Sequence, residues 1–301
     1  MKGTAENASP AAISAIVAIV ILAIALCYGA FRYLEVSRNL AAIRSETAST
    51  TAAYDLRIAD LESSLVSEKD LNASTTAALL AERQRNDAFA SQINGIKSTV
   101  DTLDKLSKTD PELLKKYSIV YFLNENYVPA SLTDIDAKFI AGEGRELQIL
   151  TPVWPYLKSL LEHAEDASSS LEITSAYRSF GSQASLKSNY TVVYGSGANR
   201  FSADQGYSEH QLGTTVDFTT LALSGGLTGF EKTPQYKWLL DNAYKYGFIL
   251  SYPPDNQYYE YEPWHWRFVG VDLATELHND HQNFYDIDQR VIDGYLVSIF
   301  D

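Results

Sequence analysis

The stretch GYSEHQLGTTVDF, residues 206–218, places a histidine and an aspartate seven positions apart in a chain of 301 residues that has five histidines. Glycine accepts backbone conformations that other residues avoid, so Gly213 lets the chain bend just after His210. The segment TTVDF then alternates like a strand, which puts Asp217 on the face opposite Val216. We therefore expect His210 and Asp217 to converge at the mouth of a strand.

A second segment, YEPWHWRFVG at residues 261–270, brings a carboxylate close to another histidine. Pro263 biases Glu262 away from helix, so the segment is bent or extended. Beyond the proline, alternation sends His265 to the side opposite Trp264, and a bend at Pro263 brings Glu262 round to the side of His265. Two histidines and one carboxylate leave the fourth position of tetrahedral zinc open for water, and a second carboxylate nearby is free to act as a base.

The composition argues against several classes of protein. The formal net charge of −14 leaves no basic stripe for a phosphate backbone, so we expect no nucleic acid partner. The single cysteine, Cys27, rules out an internal disulfide framework and a cysteine-rich metal cage. Any metal must therefore be held by His, Asp or Glu.

Residues 11–31 form an apolar run without a charge, preceded by a short tail at residues 1–10. At 1.5 Å per helical residue this run spans about 31 Å, which matches the hydrocarbon thickness of a bilayer. It is long for a cleaved signal peptide and lacks a clear small-x-small cleavage site, and Leu26 stands where a lipoprotein cleaved before Cys27 needs a small residue. The sequence predicts an uncleaved transmembrane anchor, with a cleaved signal peptide as the alternative.

Residues 32–108 contain no proline and are rich in helix formers, which predicts one long helix of about 110 Å. A heptad frame runs through most of it. Its first core position holds Ile58, Leu65, Asn72, Leu79, Asn86, Ile93 and Val100, and its second holds Tyr54, Leu61, Glu68, Thr75, Glu82, Phe89, Ile96 and Leu103. Core asparagines fix two strands in register, so we expect a coiled-coil stalk that forms a parallel homodimer. The alternative is a lone amphipathic helix that folds back on the following domain.

Pro111 cannot sit inside a continuing helix, and Asp110 is a good cap for a new short one. Downstream the composition shifts to Tyr, Trp, Phe, Gly and Pro. Periodicity predicts helices at 152–167 and 234–247, and strands at 171–177, 214–218, 248–252 and 265–269. The mixture predicts an α+β domain over residues 113–301, with a small, mostly antiparallel sheet and flanking helices.

Three segments resemble, in order and spacing, the signatures of the VanY-like D-alanyl-D-alanine carboxypeptidases, zinc peptidases that share the hedgehog and lysostaphin-type fold. They are SAYRSFGSQ at 175–183, SEHQLGTTVDF at 208–218 and EPWHWRFVG at 262–270. With the entry segment NENYVPASL, the resemblance covers roughly residues 117–271 and leaves the anchor and stalk unexplained. One departure is Gly206 and Tyr207, where relatives often carry Pro-Gly, and it touches loop shape and not a ligand.

The resemblance implies a metal ion and a base. Zn²⁺ would be held by His210, Asp217 and His265, with Glu262 as the catalytic base.

The resemblance also implies groups that act on the peptide. Arg178 would stabilise the carbonyl oxygen that becomes an oxyanion, while Ser208 and Gln183 would hold the peptide.

The implied function is a zinc-dependent D-alanyl-D-alanine carboxypeptidase that trims the peptidoglycan stem peptide. Because this substrate lies outside the cytoplasmic membrane, we expect residues 113–301 on the extracytoplasmic side, although Arg32, Arg38 and Arg44 follow the anchor and charge counting favours the opposite. The alternatives are an L,D-carboxypeptidase or endopeptidase of the same family, or a non-catalytic binding module for the cell wall or division site. The presence of all the implied site residues argues for an enzyme.

Overall fold

The computed structural model describes residues 10–116, 121–194, 202–257 and 259–301. The chain divides into two compact units between Ile93 and Asn94. The helices of the described residues are α1 (Pro10–Lys108), α2 (Trp154–Asp166), α3 (Phe180–Tyr194), α4 (Pro234–Asn242), α5 (Val271–Asn279) and α6 (Gln289–Gly294). The strands are β1 (Leu132–Asp134), β2 (Gln148–Leu150), β3 (Glu172–Ser175), β4 (Thr215–Thr219), β5 (Phe248–Leu250) and β6 (His265–Phe268).

Helix α1 has a proline at its first position, where a missing amide hydrogen costs nothing, and none in its interior. Within the described part of the chain it is the one helix long and apolar enough to cross a membrane, by length and composition. The hydrophobic residues of the predicted seam, such as Ile58, Leu65 and Ile93, are exposed in the single chain. The long helix predicted for residues 32–108 is confirmed, whereas its membrane insertion and its pairing as a coiled coil stay predictions.

A short 3₁₀ turn, Pro111–Leu114, follows α1, as its proline predicts. The side chain of Asp110 caps this turn and also accepts a hydrogen bond of 2.5 Å from the hydroxyl of Tyr127. Leu113 and Leu114 are buried in the hydrophobic core. The segment that leaves α1 is therefore fastened to the core by both polar and apolar contacts.

The main sheet has four antiparallel strands in the order β3-β4-β6-β5. Its central strands pair Thr215 with Arg267 and Asp217 with His265. Strands β1 and β2 form a separate antiparallel pair. These sheets and the surrounding helices confirm the predicted α+β class with a small, mostly antiparallel sheet.

The central strands separate a hydrophobic face from a polar face. Val216 and Phe218 on β4 and Trp266 and Phe268 on β6 are buried, and alternation puts all four on one side of the sheet. Helix α2 lies on this side, with the ring centroid of Tyr156 4.9 Å from that of Phe268. The opposite side carries the polar residues of the same strands.

Gly213 connects the 3₁₀ turn Glu209–Leu212 to β4 with φ of 73°, in the left-handed region that favours glycine. A Cβ atom at this position would lie 3.2 Å from Cγ of Pro129 and 3.4 Å from Cβ of Leu150. The positive φ favours glycine, and a Cβ atom would also force its neighbours to shift by a few tenths of an ångström. The bend that the sequence predicts after His210 is therefore confirmed.

One helix is shorter than its sequence pattern predicts. The pattern at 234–247 predicts a single helix, but α4 ends at Asn242 and a 3₁₀ turn, Ala243–Tyr246, takes its place. Gly247, with φ of 79°, closes this turn. Tightening of the last turn is common because 3₁₀ hydrogen bonds satisfy carbonyls that an α-helix leaves open at its end.

Candidate metal centre

Three side chains meet on the polar face of the sheet. His210, Asp217 and His265 are buried, and one ligand atom from each lies within 4.8 Å of the others. His210 Nε2 is 3.3 Å from Asp217 Oδ2, and His265 Nδ1 is 3.2 Å from Asp217 Oδ1. The two segments that the sequence singles out are thus brought together at one point.

The register of the sheet positions two of these residues, and a turn positions the third. Asp217 and His265 are direct cross-strand partners, so their side chains share a face. His210 lies in the turn before β4, and its Nδ1 is 2.7 Å from the carbonyl oxygen of Ala176. Because a carbonyl only accepts, Nδ1 carries the hydrogen, and the buried Nε2 has no hydrogen-bond partner within the described residues. That nitrogen is left for a ligand.

The donor atoms fit a tetrahedral zinc ion. Zinc bonds of about 2.0–2.2 Å to nitrogen and oxygen place neighbouring ligands about 3.3–3.6 Å apart in a tetrahedron. His210 Nε2 is 3.3 Å from Asp217 Oδ2 and His265 Nδ1 is 3.2 Å from Asp217 Oδ1, so each histidine has one oxygen of the carboxylate at or near this spacing, and one donor atom from each of the three residues lies within 4.8 Å of the others. An unpartnered, buried imidazole nitrogen is rare in a core but expected of a ligand. Three protein ligands leave a fourth position for water.

The electrostatics of the cluster suit a cation. Burial and the charge of Arg178 lower the pKa of His210 to about 4, so this ring is neutral at pH 7, as a ligand must be. Burial favours a low pKa for His265, but its hydrogen bonds to Asp217 and Glu209 raise that pKa to about 10. Burial opposes the charge of Asp217, yet attraction to the two histidines lowers its pKa. A metal ion at His265 Nδ1 therefore replaces a proton.

Glu262 and Arg178 lie beside the cluster. Glu262 Oε2 is 3.5 Å from His265 Nδ1, on the side of the ring that faces Asp217. Burial raises the pKa of Glu262 to about 7. The Arg178 amide donates to the carbonyl of His210 at 3.2 Å, and its buried Nε has no hydrogen-bond partner within the described residues.

A cleft of about 420 Å³ opens over the cluster. Its walls combine charged, hydroxyl and aromatic side chains. They include His210, Asp217, His265, Glu262, Arg178, Ser208, Tyr252, Tyr259, Tyr261 and Trp264. The structure thus brings six of the seven predicted site residues to one cleft.

Gln183, the seventh, lies behind the cleft wall. It is buried, and its amide nitrogen donates to the hydroxyl of Ser202 and the carbonyl of Ala203, both at 2.8 Å. Ser202 and Ala203 line the cleft. Direct contact between Gln183 and a peptide stays a prediction.

Sequence reasoning missed a third carboxylate at the cluster, beside Asp217 and Glu262. Glu209 is fully buried, with Oε2 2.8 Å from His265 Nε2 and Oε1 2.8 Å from Arg267 Nη1. Burial alone favours a raised pKa, but the charge of Arg267 and the hydrogen bond from His265 lower the pKa of Glu209 to about 2. The sequence did contain a signal for this carboxylate. Strand alternation puts Arg267 on the same face as His265, and a buried arginine needs an acidic partner.

Comparison with known proteins gives the family. The model of the VanY family, described as D-alanyl-D-alanine carboxypeptidase, matches residues 148–271. The chain is 30% identical to the putative carboxypeptidase YodJ of Bacillus subtilis (strain 168) over 264 residues, which cover 84% of this chain and 96% of YodJ. It is also 30% identical over 179 residues to a D-alanyl-D-alanine carboxypeptidase of Enterococcus faecalis, covering 55% of this chain and 63% of that protein.

Among solved structures, the chain is similar to the LdcB LD-carboxypeptidase, with 32% identity and a TM-score of 0.54. This similarity covers 58% of the present chain and 86% of that chain. The match to nearly all of YodJ extends well beyond the residues of the family model. Zinc is the cofactor of the family, and the group of His210, Asp217 and His265 could hold a metal ion. The chain belongs to the VanY family of carboxypeptidases.

Proposed function

We propose that this protein is a membrane-anchored, zinc-dependent peptidoglycan peptidase that acts as a D,D-carboxypeptidase on the stem peptide. The observation that carries the proposal is one cleft that joins the ligands His210, Asp217 and His265 to Glu262 and Arg178. The relatives named D-alanyl-D-alanine carboxypeptidase support a substrate that ends in D-alanyl-D-alanine.

The three ligands have defined tasks in this proposal. Bound zinc supplies a Lewis acid that acidifies water and polarises the scissile carbonyl. His210 offers Nε2 because its Nδ1 donates to Ala176, and His265 offers Nδ1 on the side of Asp217. Asp217 contributes a carboxylate oxygen and one negative charge, which offsets part of the charge of the cation.

Glu262 and Arg178 carry the chemistry of the peptide bond. Glu262 takes a proton from the attacking water as the water oxygen bonds to the carbonyl carbon. It then gives that proton to the nitrogen of the leaving D-alanine as the C–N bond breaks. Arg178 stabilises the negative charge that develops on the carbonyl oxygen. Ser208 contacts the peptide from the cleft wall, and Gln183 acts on it through Ser202 and Ala203, which it holds in place.

An L,D-carboxypeptidase is the second candidate. It is favoured by the similarity to LdcB, whose structure is that of an LD-carboxypeptidase. Both reactions hydrolyse a peptide bond. Both need the zinc ion, Glu262 as the base and the positive charge of Arg178. They differ in the residue that precedes the released D-alanine, and therefore in contacts at the cleft wall.

The first prediction distinguishes these two reactions. The zinc-loaded full chain in detergent is offered a pentapeptide stem, a tetrapeptide stem and a cross-linked stem, and the products are identified by mass spectrometry. A D,D-carboxypeptidase removes one D-alanine from the pentapeptide and leaves the tetrapeptide intact. Shortening of the tetrapeptide identifies the L,D-enzyme, cleavage of the cross-link identifies an endopeptidase, and the absence of any product contradicts an enzymatic function.

The second prediction separates chemistry from metal binding. Glu262→Gln removes the base but no ligand, so it is expected to keep one zinc per chain and lose about 10²- to 10⁴-fold in kcat. Arg178→Ala is expected to keep zinc too and lose about 10²- to 10³-fold, mainly in kcat, because the oxyanion forms only near the transition state. The measurements are zinc stoichiometry and D-alanine release.

Two further variants control this experiment. His210→Ala removes a ligand and is expected to weaken zinc retention itself. Arg290→Ala removes an exposed arginine that does not line the cleft, so its kinetics are expected to match those of the wild type. Normal turnover by Glu262→Gln, or its isolation without zinc, would contradict the assigned roles.

The third prediction concerns membrane topology. Peptidoglycan lies outside the cytoplasmic membrane, so residues 11–31 are proposed as the anchor, with residues 113–301 on the extracytoplasmic side. Protease added to intact spheroplasts is expected to remove the peptidase domain. Its full protection until the membrane is lysed would place the domain in the cytoplasm instead.

The fourth prediction concerns dimerisation of α1. Exposed apolar residues at the heptad core positions are expected to pair with those of a second chain. The detergent-solubilised full chain should sediment as a dimer, and Ile93→Lys should shift it toward monomer. Ser91→Lys, on the outer side of the heptad, is the matched control and should leave the dimer intact. A monomeric wild type at high concentration would refute the pairing.

A further inference from the structure

Glu209 is a fully buried acid for which the proposed reaction has no direct use. Its Oε2 accepts a hydrogen bond of 2.8 Å from His265 Nε2. Its Oε1 accepts hydrogen bonds from Ser251 Oγ and Arg267 Nη1, both at 2.8 Å, and from the hydroxyl of Tyr285. Both oxygens are thus engaged, one by the metal-ligand histidine and the other by three separate donors.

The two nitrogens of His265 face different partners. Nδ1 faces the cluster, 3.2 Å from Asp217 and 3.5 Å from Glu262, while Nε2 faces Glu209. When Nδ1 binds a metal, the remaining ring proton sits on Nε2 and needs an acceptor. The ring of Tyr252 stacks on His265 with a centroid distance of 4.1 Å, which fixes the plane of the imidazole but does not distinguish its nitrogens.

We propose that Glu209 is a positioning residue that selects Nδ1 of His265 as the metal-binding nitrogen. This inference rests on the zinc site of the proposed function. The carboxylate accepts the Nε2 proton and holds the ring edge that faces away from the metal. His210 has the reverse arrangement, because the carbonyl of Ala176 accepts its Nδ1 proton and leaves Nε2 for the metal.

The position calls for a carboxylate and not for an amide. His265 Nε2 needs an acceptor on one side of residue 209, and three donors need an acceptor on the other side. A glutamine offers only one oxygen. Its NH₂ group must then face either the Nε2 proton or the three donors around Oε1. Glu209→Gln therefore preserves the shape of the side chain. At one of the two contacts, however, its NH₂ group faces another hydrogen-bond donor.

The test compares zinc affinity among variants of the full chain, measured by competition with a chromophoric chelator. Glu209→Gln is expected to raise the zinc Kd about 10- to 100-fold. Tyr285→Phe and Ser251→Ala remove donors from Oε1 but leave Oε2 with His265, so they are expected to lower the Tm while keeping the wild-type zinc Kd. In the zinc-loaded wild type, long-range ¹H–¹⁵N spectra should show the His265 proton on Nε2.

A second variant guards against misfolding. Glu209→Asp keeps a negative charge beside Arg267 but withdraws the carboxylate from His265, and is also expected to weaken zinc binding. Wild-type zinc affinity in either folded Glu209 variant overturns the proposal. Equal loss of affinity in Tyr285→Phe overturns it as well, because that result reflects general loosening. A wild type without zinc affinity refutes the proposed function, and this inference with it.

Discussion

Asp217 and His265 face each other across β4 and β6, and their pairing holds only in one strand register. The register is set from the other side of the sheet, where Val216 and Trp266 are buried as a cross-strand pair. A slip by one residue would turn these apolar side chains toward the cleft and the two ligands toward the core. Hydrophobic packing therefore fixes the geometry of the metal centre, and the metal need not assemble it.

This arrangement requires several charged side chains to be buried. Glu209 and Arg267 are both fully buried, and each has the other as its counter-charge. Asp217 is stabilised as an anion by His210 and His265 on either side of it. Removing either member of the Glu209 and Arg267 pair leaves the other charge uncompensated, which costs more than the pair contributes.

Local patterns were enough to predict part of the site. The bend at Gly213, the strand that carries Asp217 and the side of the chain that carries His265 follow from residues close in sequence. Glu209 was missed because its partners lie 42 to 76 residues away, and no local period reports them. The placement of Gln183 depends in the same way on the distant segment at Ser202 and Ala203. The resemblance of three segments to family motifs indicated the candidate site residues. Only the fold shows that Gln183 supports the cleft wall and that Glu209 supports His265.

Arg267 extends the metal centre to the segment that leaves α1. Its Nη1 donates to Glu209, and its Nη2 donates to the carbonyls of Leu113 and Lys115, both at 3.0 Å. Its plane also lies over the ring of Phe284 at 4.6 Å. A lysine has a single nitrogen and no planar group to stack, so it cannot make these contacts together. The side chain that orients the acid behind His265 is therefore the same one that ties down the chain at the end of the long helix.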